Sequence, residues 1–438
     1  MMRLRDRLIK GTVFNLIAVA FNQGSTLIAN IIVARILMRQ GFGEYAMVQS
    51  TLLTVAALSQ LAIGYTASKY IAEYRSSDPE KAGRIMGLCA LISAVMAGVG
   101  AFLLIVIAPW LAGAMLKAPH LAVALMIGSG FLFFSAINGY QTGALSGLEA
   151  FGSLAKAGVV SGIVAVAAIF LGAWWGGLNG TIIGLSISAF VRCAIHNRWL
   201  RLESRVQGIE PRYRGSLSQE KAVIFKFALP AAIAGYYSMP MIWLANAFLV
   251  RQPKGYGEMA LYASSSSVRL LVLFIPQVIN NVSLSILNNI RGSGDEQRYK
   301  RAYRSNVVII FLATLTGGLV IGLFGDTILG IFGKEFRGGK MVLQVLMIST
   351  VFEGVAIALY QHLQAQGKIW TSLFFINIPR ETVFVVLAFI FVPVQGAVGL
   401  SVAYTLCWLL TLVAICILVY REQIATKNNQ SSVNISLP

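Results

Sequence analysis

The sequence predicts an all-α polytopic membrane protein of about 12 transmembrane helices, built as two parallel six-helix repeats. Three observations carry this. Hydrophobic residues make up 57% of the 438 residues and charged residues only 12%, about half the charged share of soluble domains. Apolar runs near the roughly 20 residues that a helical span needs recur along the whole chain. The stretch Gly41-Phe42-Gly43-Glu44-Tyr45-Ala46 returns 214 residues later as Gly255-Tyr256-Gly257-Glu258-Met259-Ala260. Two more pairs follow in the same order. Tyr140-Gln141 with Gly147 matches Tyr360-Gln361 with Gly367, and Gly184-Leu185-Ser186 matches Gly399-Leu400-Ser401. Self-similarity at a fixed period marks a duplicated unit.

The expected spans are 12–33, 44–66, 85–108, 120–140, 153–174, 178–196, 223–249, 261–288, 305–331, 341–362, 370–392 and 396–419. An even number per half gives both halves the same orientation, related by an axis along the membrane normal. Each copy of the six-residue repeat falls between the first two spans of its half and reads as the turn joining them. The chain then divides into an N-terminal bundle over 1–196, a cytoplasmic linker over 197–222, a C-terminal bundle over 223–420 and a disordered cytoplasmic tail over 421–438. Lys and Arg set the orientation. With the N-terminus inside, 25 of the 35 fall on cytoplasmic segments, the stretch 192–226 among them, and 8 on outer loops. That bias places both termini in the cytoplasm.

The net charge of +18 would suggest nucleic acid in a soluble protein, but here it follows from basic loops, and no nucleic-acid partner is expected. Cys89, Cys193, Cys407 and Cys416 lie in or beside apolar segments without CxxC spacing and read as small apolar side chains. His120, His196 and His362 lack metal spacing. Gly333-Lys334, Gly339-Lys340 and Gly367-Lys368 lack the upstream glycine and following hydroxyl of a phosphate-binding loop. Neither a nucleophile elbow nor HExxH occurs, so no enzyme and no cofactor are expected. The start MMRLRDRLIKG leads into no small-residue cleavage site, so no removed signal peptide is expected.

Polar residues inside spans are the next signal. Asn15, Asn22 and Thr26 share one helical face of the first span, with Asn30 close by. Amides are costly in hydrocarbon. That face therefore meets either a neighbouring helix through hydrogen bonds or a watery cavity. The eighth span repeats the pattern with Gln277, Asn281 and Asn288 beside Pro276, and the seventh adds Tyr236, Tyr237, Trp243 and Asn246. Intramembrane charges are expensive and mark function. At 1.5 Å per residue, Arg269 lies roughly 12 Å from the outer end of its span, Glu353 roughly 18 Å deep, and Arg380 with Glu381 roughly 15 Å deep. Arg269 either snorkels to the outer surface or faces a cavity. Glu353, Arg380 and Glu381 form either a coupling-ion or substrate-charge site or a structural staple. In the staple, Arg380 pairs with Glu353 and Glu381 is left as the unpaired carboxylate.

Arg35-Ile36-Leu37 followed by Gly41-Phe42-Gly43-Glu44-Tyr45-Ala46 resembles the N-terminal signature of the bacterial polysaccharide-export, or O-antigen flippase, family. The mid-chain repeat, Tyr360-Gln361 with Gln366-Gly367-Lys368, and Gly399-Leu400-Ser401 fit it too. The resemblance covers nearly the whole chain. It implies a V-shaped pair of bundles like those of multidrug exporters, lined by spans 1, 2, 7 and 8. It also implies a flippase in the bacterial inner membrane that passes an undecaprenyl-diphosphate-linked oligosaccharide, such as an O-antigen or exopolysaccharide unit, to the outer leaflet. Such a protein would be a monomer, with glycan polymerase and glycosyltransferases as partners. Carried onto this chain, Arg35 matches the signature arginine, and Arg269 stands where a cation could meet a diphosphate. Asn15, Asn22, Asn246, Gln277 and Asn281 would contact sugars, while Glu353, Arg380 and Glu381 would couple an ion. The two extra C-terminal helices of lipid II flippases and an acidic residue in the first span are both absent from the pattern. A drug or small-solute antiporter remains the alternative and predicts an acidic cavity. A membrane enzyme of glycan assembly would need a large outer loop, and the longest here is about ten residues.

Overall fold

A backbone in hydrocarbon finds no water to bond, so a spanning segment closes its hydrogen bonds internally as a helix. The computed structural model describes the backbone of residues 4–212, 237–292, 295–365 and 373–435. Within those ranges, the side chains at 4–19, 281, 282, 284–286, 288, 289, 291, 292, 296, 361–365 and 420–435 lie outside the described set. Among the described residues every regular element is helical. In order they are α1 (Leu4–Gln60), α2 (Ile63–Tyr74), α3 (Pro79–Trp110), α4 (Leu121–Gly147), α5 (Phe151–Val206), α6 (Ser238–Val250), α7 (Gly255–Gly292), α8 (Glu296–Leu323), α9 (Gly325–Phe332), α10 (Lys340–Ala365) and α11 (Ile378–Ile435). A π-helical turn, Leu111–Met115, extends α3, another, Leu373–Asn377, precedes α11, and a 3-10 turn, Lys334–Gly339, precedes α10.

Among the described residues seven helices are long and apolar enough to cross a membrane, or eight when the bent pair Ala20–Gln60 and Ile63–Tyr74 counts as one span. The expected number is reached through breaks inside long helices. Backbone dihedrals leave the helical region at Met38 in α1, at Gly176 and Gly177 in α5, and at Gly396 in α11. Each break divides its helix into two arms. With these divisions the described residues contain helical arms for all twelve expected spans. Trp174 and Trp175, 69% and 81% exposed, stand just before the break in α5, the position of an interfacial aromatic anchor.

The breaks also display the duplication. Left-handed residues recur as Met38 and Lys254, both at φ 58°, as Lys117 and Gly333 at φ 51° and 148°, and as Gly177 and Gly396 at φ 53° and 55°. One expectation changes. The repeat Gly41–Ala46 is not the turn between the first two spans, because the helix breaks earlier, at Met38, and Gly41–Ala46 is helical. Likewise Gly255 opens α7. Each copy is the opening of a second helix, and its glycines serve close approach: a Cβ on Gly43 would overlap the carbonyl of Tyr256. Phe42 of the same stretch is 1% exposed and packs edge-on against Phe336, ring centroids 5.7 Å apart. A second difference lies at the C-terminus, where disorder was expected from 421. The helix runs on to Ile435.

The chain forms two compact units. The first is Met1–Ser264 with Gly330–Phe336, and the second is Ser265–Leu329 with Arg337–Pro438. In the first, Ile63 and Ile71 of α2, Ile85 and Met86 of α3, and Tyr140 and Leu145 of α4 make a buried core. Tyr140 donates its hydroxyl proton to the Met86 carbonyl at 3.0 Å. Apolar burial cannot drive helices together inside lipid, so packing depends on small residues that let backbones meet. α4 supplies Gly139, Gly143 and Gly147 on one face. A Cβ on Gly143 would overlap the Gly64 carbonyl, and one on Gly147 would press on Ser68. Gly143→Leu is therefore expected to destabilise the first unit by about 1–3 kcal/mol. A thermal-unfolding midpoint well below wild type checks this, and Gly98→Leu, whose site is open, should leave the midpoint unchanged. The second unit has its own core, Ala356 of α10 with Trp408 and Ile415 of α11.

Candidate functional site

The first unit encloses a cavity of about 250 Å³ walled by α1, α4 and α5. Its wall mixes apolar residues, among them Leu53, Phe131 and Ile169, with a run of polar side chains. α1 contributes Asn22, Ser25, Thr26, Asn30 and Gln49, α4 contributes Ser135 and Asn138, and α5 contributes Ser188 and Arg192. Several of these hydroxyls and amides recur at helical spacing, so single faces carry them. Gly162 leaves room: a Cβ there would press on Ser25 Oγ at 2.8 Å. No carboxylate lines the cavity among the described residues.

Among the described residues Arg192 is the one cation on this wall. Its Nη2 donates to Asn22 Oδ1 at 3.4 Å. It has no carboxylate partner among the described residues. One turn further along α5, His196 is buried and its Nδ1 accepts from Asn138 Nδ2 at 2.7 Å. Sequence reading counts Arg192 with the basic cytoplasmic stretch 192–226, which overlaps the end of the expected span 178–196. The second arm of α5 instead continues to Val206. Arg192 then lies 15 residues beyond the break at Gly177, roughly 22 Å along the helix. The spacing of Ser188 and Arg192, four apart on one face, was the available signal.

The other expected binding residues scatter. Asn22 lines the cavity. Asn15 and Asn281 have side chains outside the described residues, as does Asn288, and Tyr236 lies outside them altogether. Asn246 is 6% exposed and its Nδ2 donates to Ser50 Oγ at 3.2 Å. Beside it Trp243 Nε1 donates to Thr51 Oγ1 at 2.9 Å, so this pair joins α6 to the second arm of α1. Gln277 is exposed on α7. Arg35 is exposed at the break of α1, where its Nε donates to the Ile331 carbonyl at 2.7 Å. It stands away from the cavity wall.

The second unit gathers the intramembrane charges, in pairs other than those expected. Arg269 does not snorkel: it is 8% exposed and its Nη1 donates to Glu353 Oε2 at 2.5 Å and to the Tyr404 hydroxyl at 2.8 Å. Tyr404 in turn donates to Glu353 Oε2 at 3.0 Å. Arg380 leaves Glu353 and pairs with its own neighbour, donating to Glu381 Oε1 from Nε at 3.0 Å and from Nη2 at 2.6 Å. Its guanidinium carbon also sits 4.8 Å from the centroid of the Trp408 ring. Two corrections follow. The staple joins α7 to α10 rather than α10 to α11, and Glu381 is not an unpaired carboxylate. Adding Arg269 turns an expected net −1 into two neutral pairs. Adjacent Arg380 and Glu381 meet side chain to side chain in the first turn of α11. Spacing along a helix did not foresee this.

The sequence model of the family described as Polysaccharide biosynthesis protein matches residues 8–284. No curated protein matches the chain. Among solved structures, an inward-facing conformation of a multidrug resistance MATE family transporter of the MOP superfamily is 18% identical. It covers 95% of this chain and 99% of its own, at a TM-score of 0.80. An outward-facing conformation of a multidrug resistance MATE family transporter of the same superfamily is 16% identical and covers 96% of each chain at a TM-score of 0.70. A MOP superfamily transporter from Pyrococcus furiosus, in which reverse polarity of the binding pocket suggests a different function, is 18% identical. It covers 96% of this chain and 95% of its own at a TM-score of 0.69. At such identities the likeness is one of fold: the chain has the all-α polytopic architecture of MOP-superfamily transporters.

Proposed function

The chain belongs to the polysaccharide biosynthesis protein family, and from that premise we propose that it is a flippase for a lipid-diphosphate-linked oligosaccharide. It moves the glycan from the inner to the outer leaflet of the bacterial inner membrane by alternating access, with both termini in the cytoplasm. The carrying observation is Arg192, which among the described residues lines the cavity as its one cation, beside amides and hydroxyls and with no lining carboxylate. An intramembrane cation without a counter-charge is costly, and an anionic ligand offsets that cost. A guanidinium matches phosphate oxygens in a bidentate geometry. Asn22, Asn138, Gln49 and the serines supply donors and acceptors suited to sugar hydroxyls. At about 250 Å³ the cavity falls just below the roughly 300 Å³ lower bound of ligand pockets, so it takes one sugar with its phosphate. The rest of the glycan lies outside it.

The fold favours one competing reading, a cation-coupled drug antiporter. A cationic drug would need an acidic pocket, and this one is basic. Pocket polarity is also the ground on which a different function is suggested for the Pyrococcus furiosus transporter. Glu353, Arg380 and Glu381 couple an ion in this proposal only if one of the two ion pairs opens. The test uses purified full-length chain in proteoliposomes with a fluorescent lipid-diphosphate-linked oligosaccharide. Protein-dependent movement of the label across the bilayer is expected. Extrusion of a cationic dye with no movement of the lipid would favour the antiporter and sink the flippase. Orientation is tested separately: reporter fusions at Gly208 and at the C-terminus should report a cytoplasmic location, and periplasmic activity at either would reverse the topology.

A further inference from the structure

A second, larger cavity of about 650 Å³ lies in the first unit, where the break in α1, the loop before α4 and the α6–α7 turn come together. Arg39, Lys117, Arg251 and Lys254 line it, against one lining carboxylate, Glu335. Arg39 is already committed. Its Nη2 meets Glu258 Oε1 at 3.1 Å, its Nε donates to the Gly257 carbonyl at 3.0 Å, and its backbone N–H donates to Glu335 Oε2 at 3.2 Å. The other three cations are exposed, and none has a carboxylate partner among the described residues. Tyr256 fixes the rim, its hydroxyl donating to the Leu116 carbonyl at 2.9 Å, which ties Lys117 to the start of α7.

These charges stand on segments that the Lys and Arg distribution assigns to the outer side, where positive residues work against topology. Lys117 and Lys254 also adopt left-handed backbones, a conformation uncommon outside glycine. A cluster that opposes topology, leaves three cations unpaired and surrounds a cavity has the chemistry of a polyanion receptor. We propose that this cavity binds a phosphate-bearing anion through Lys117, Arg251 and Lys254. The diphosphate of a lipid-linked glycan and the headgroup of an anionic phospholipid share that chemistry. The inference does not depend on what the protein transports.

The test uses the full chain in nanodiscs and follows its thermal-unfolding midpoint against three probes. These are inorganic pyrophosphate in zwitterionic nanodiscs, a short-chain isoprenyl diphosphate in the same nanodiscs, and phosphatidylglycerol titrated into the nanodisc lipid. Saturable stabilisation by at least one probe is expected. In the K117Q/R251Q/K254Q variant its apparent affinity should fall at least about ten-fold, as for a lost charge-assisted contact. A K334Q/R337Q control, which removes two exposed cations that do not line the cavity, should bind as wild type. The effective probe identifies the source: pyrophosphate for a free anion, isoprenyl diphosphate for a carrier lipid, phosphatidylglycerol for the membrane. No saturable response to any probe, an unchanged affinity in the triple variant, or an equal loss in the control would each overturn the proposal.

Discussion

Arg269→Ala is expected to collapse the amount of folded protein in the membrane, and adding Glu353→Ala is expected to restore most of it. Both residues are 8% exposed and share an ion pair closed by Tyr404. Deleting one partner of a buried pair leaves the other charge uncompensated, at about 3–5 kcal/mol, whereas removing both is close to neutral. Domains are stable by only about 5–15 kcal/mol, so the single change consumes much of that margin. Arg380→Ala should be rescued by Glu381→Ala and not by Glu353→Ala, because its carboxylate partner is Glu381. Membrane-fraction levels and unfolding midpoints of the four single variants and three doubles decide the matter. A stable Arg269→Ala protein that has lost transport would instead make this pair the coupling site. Rescue of Arg380→Ala by Glu353→Ala would overturn the pairing itself.

The pairing shows where sequence reasoning reached and where it stopped. Depth along a helix follows from counting residues, so the sequence brought Glu353, Arg380 and Glu381 to one level. Azimuth and the choice of partner do not follow from counting. Arg269 was measured from the outer end of its span and set apart, yet it faces Glu353 across the α7–α10 contact. The polar face of the first span was legible as a face, because Asn22 and Thr26 recur at helical spacing. What it faces depends on α4 and α5, whose Asn138 and Ser188 are unremarkable in an apolar run. The repeat was legible as a repeat. Its role as a helix opening was not, since the break depends on a left-handed Met38, a residue with no turn-forming chemistry. Arg192 falls in the overlap of the expected span 178–196 with the basic stretch 192–226, and counting it with the basic stretch hid it as an intramembrane charge, although α5 runs on to Val206.

The second large effect concerns Arg192. Arg192→Ala should abolish protein-dependent movement of the lipid-diphosphate-linked glycan while leaving the folded protein at wild-type levels. The two parts of this expectation have separate physical grounds. Folding is spared because Arg192 has no carboxylate partner among the described residues and a single 3.4 Å bond to Asn22. Removing it strands no buried charge, and it even relieves the cost of an unpaired cation near hydrocarbon. Transport is lost because the diphosphate would then enter a cavity with no cation, leaving only amides and hydroxyls. Hydrogen bonds to charged groups are worth about 1.5–3 kcal/mol each. A bidentate contact therefore accounts for a loss of 100-fold or more, at roughly ten-fold per 1.4 kcal/mol. Arg192→Lys keeps the charge but forfeits the planar fork, and it should retain partial activity. Asn22→Ala removes the group that orients the guanidinium and should weaken transport less than Arg192→Ala. The measurement is the initial rate of label movement in proteoliposomes at matched protein density, with the unfolding midpoint as the folding control. If Arg192→Ala moves the glycan at the wild-type rate, the cavity lined by Arg192 is not where the phosphate is held during transport.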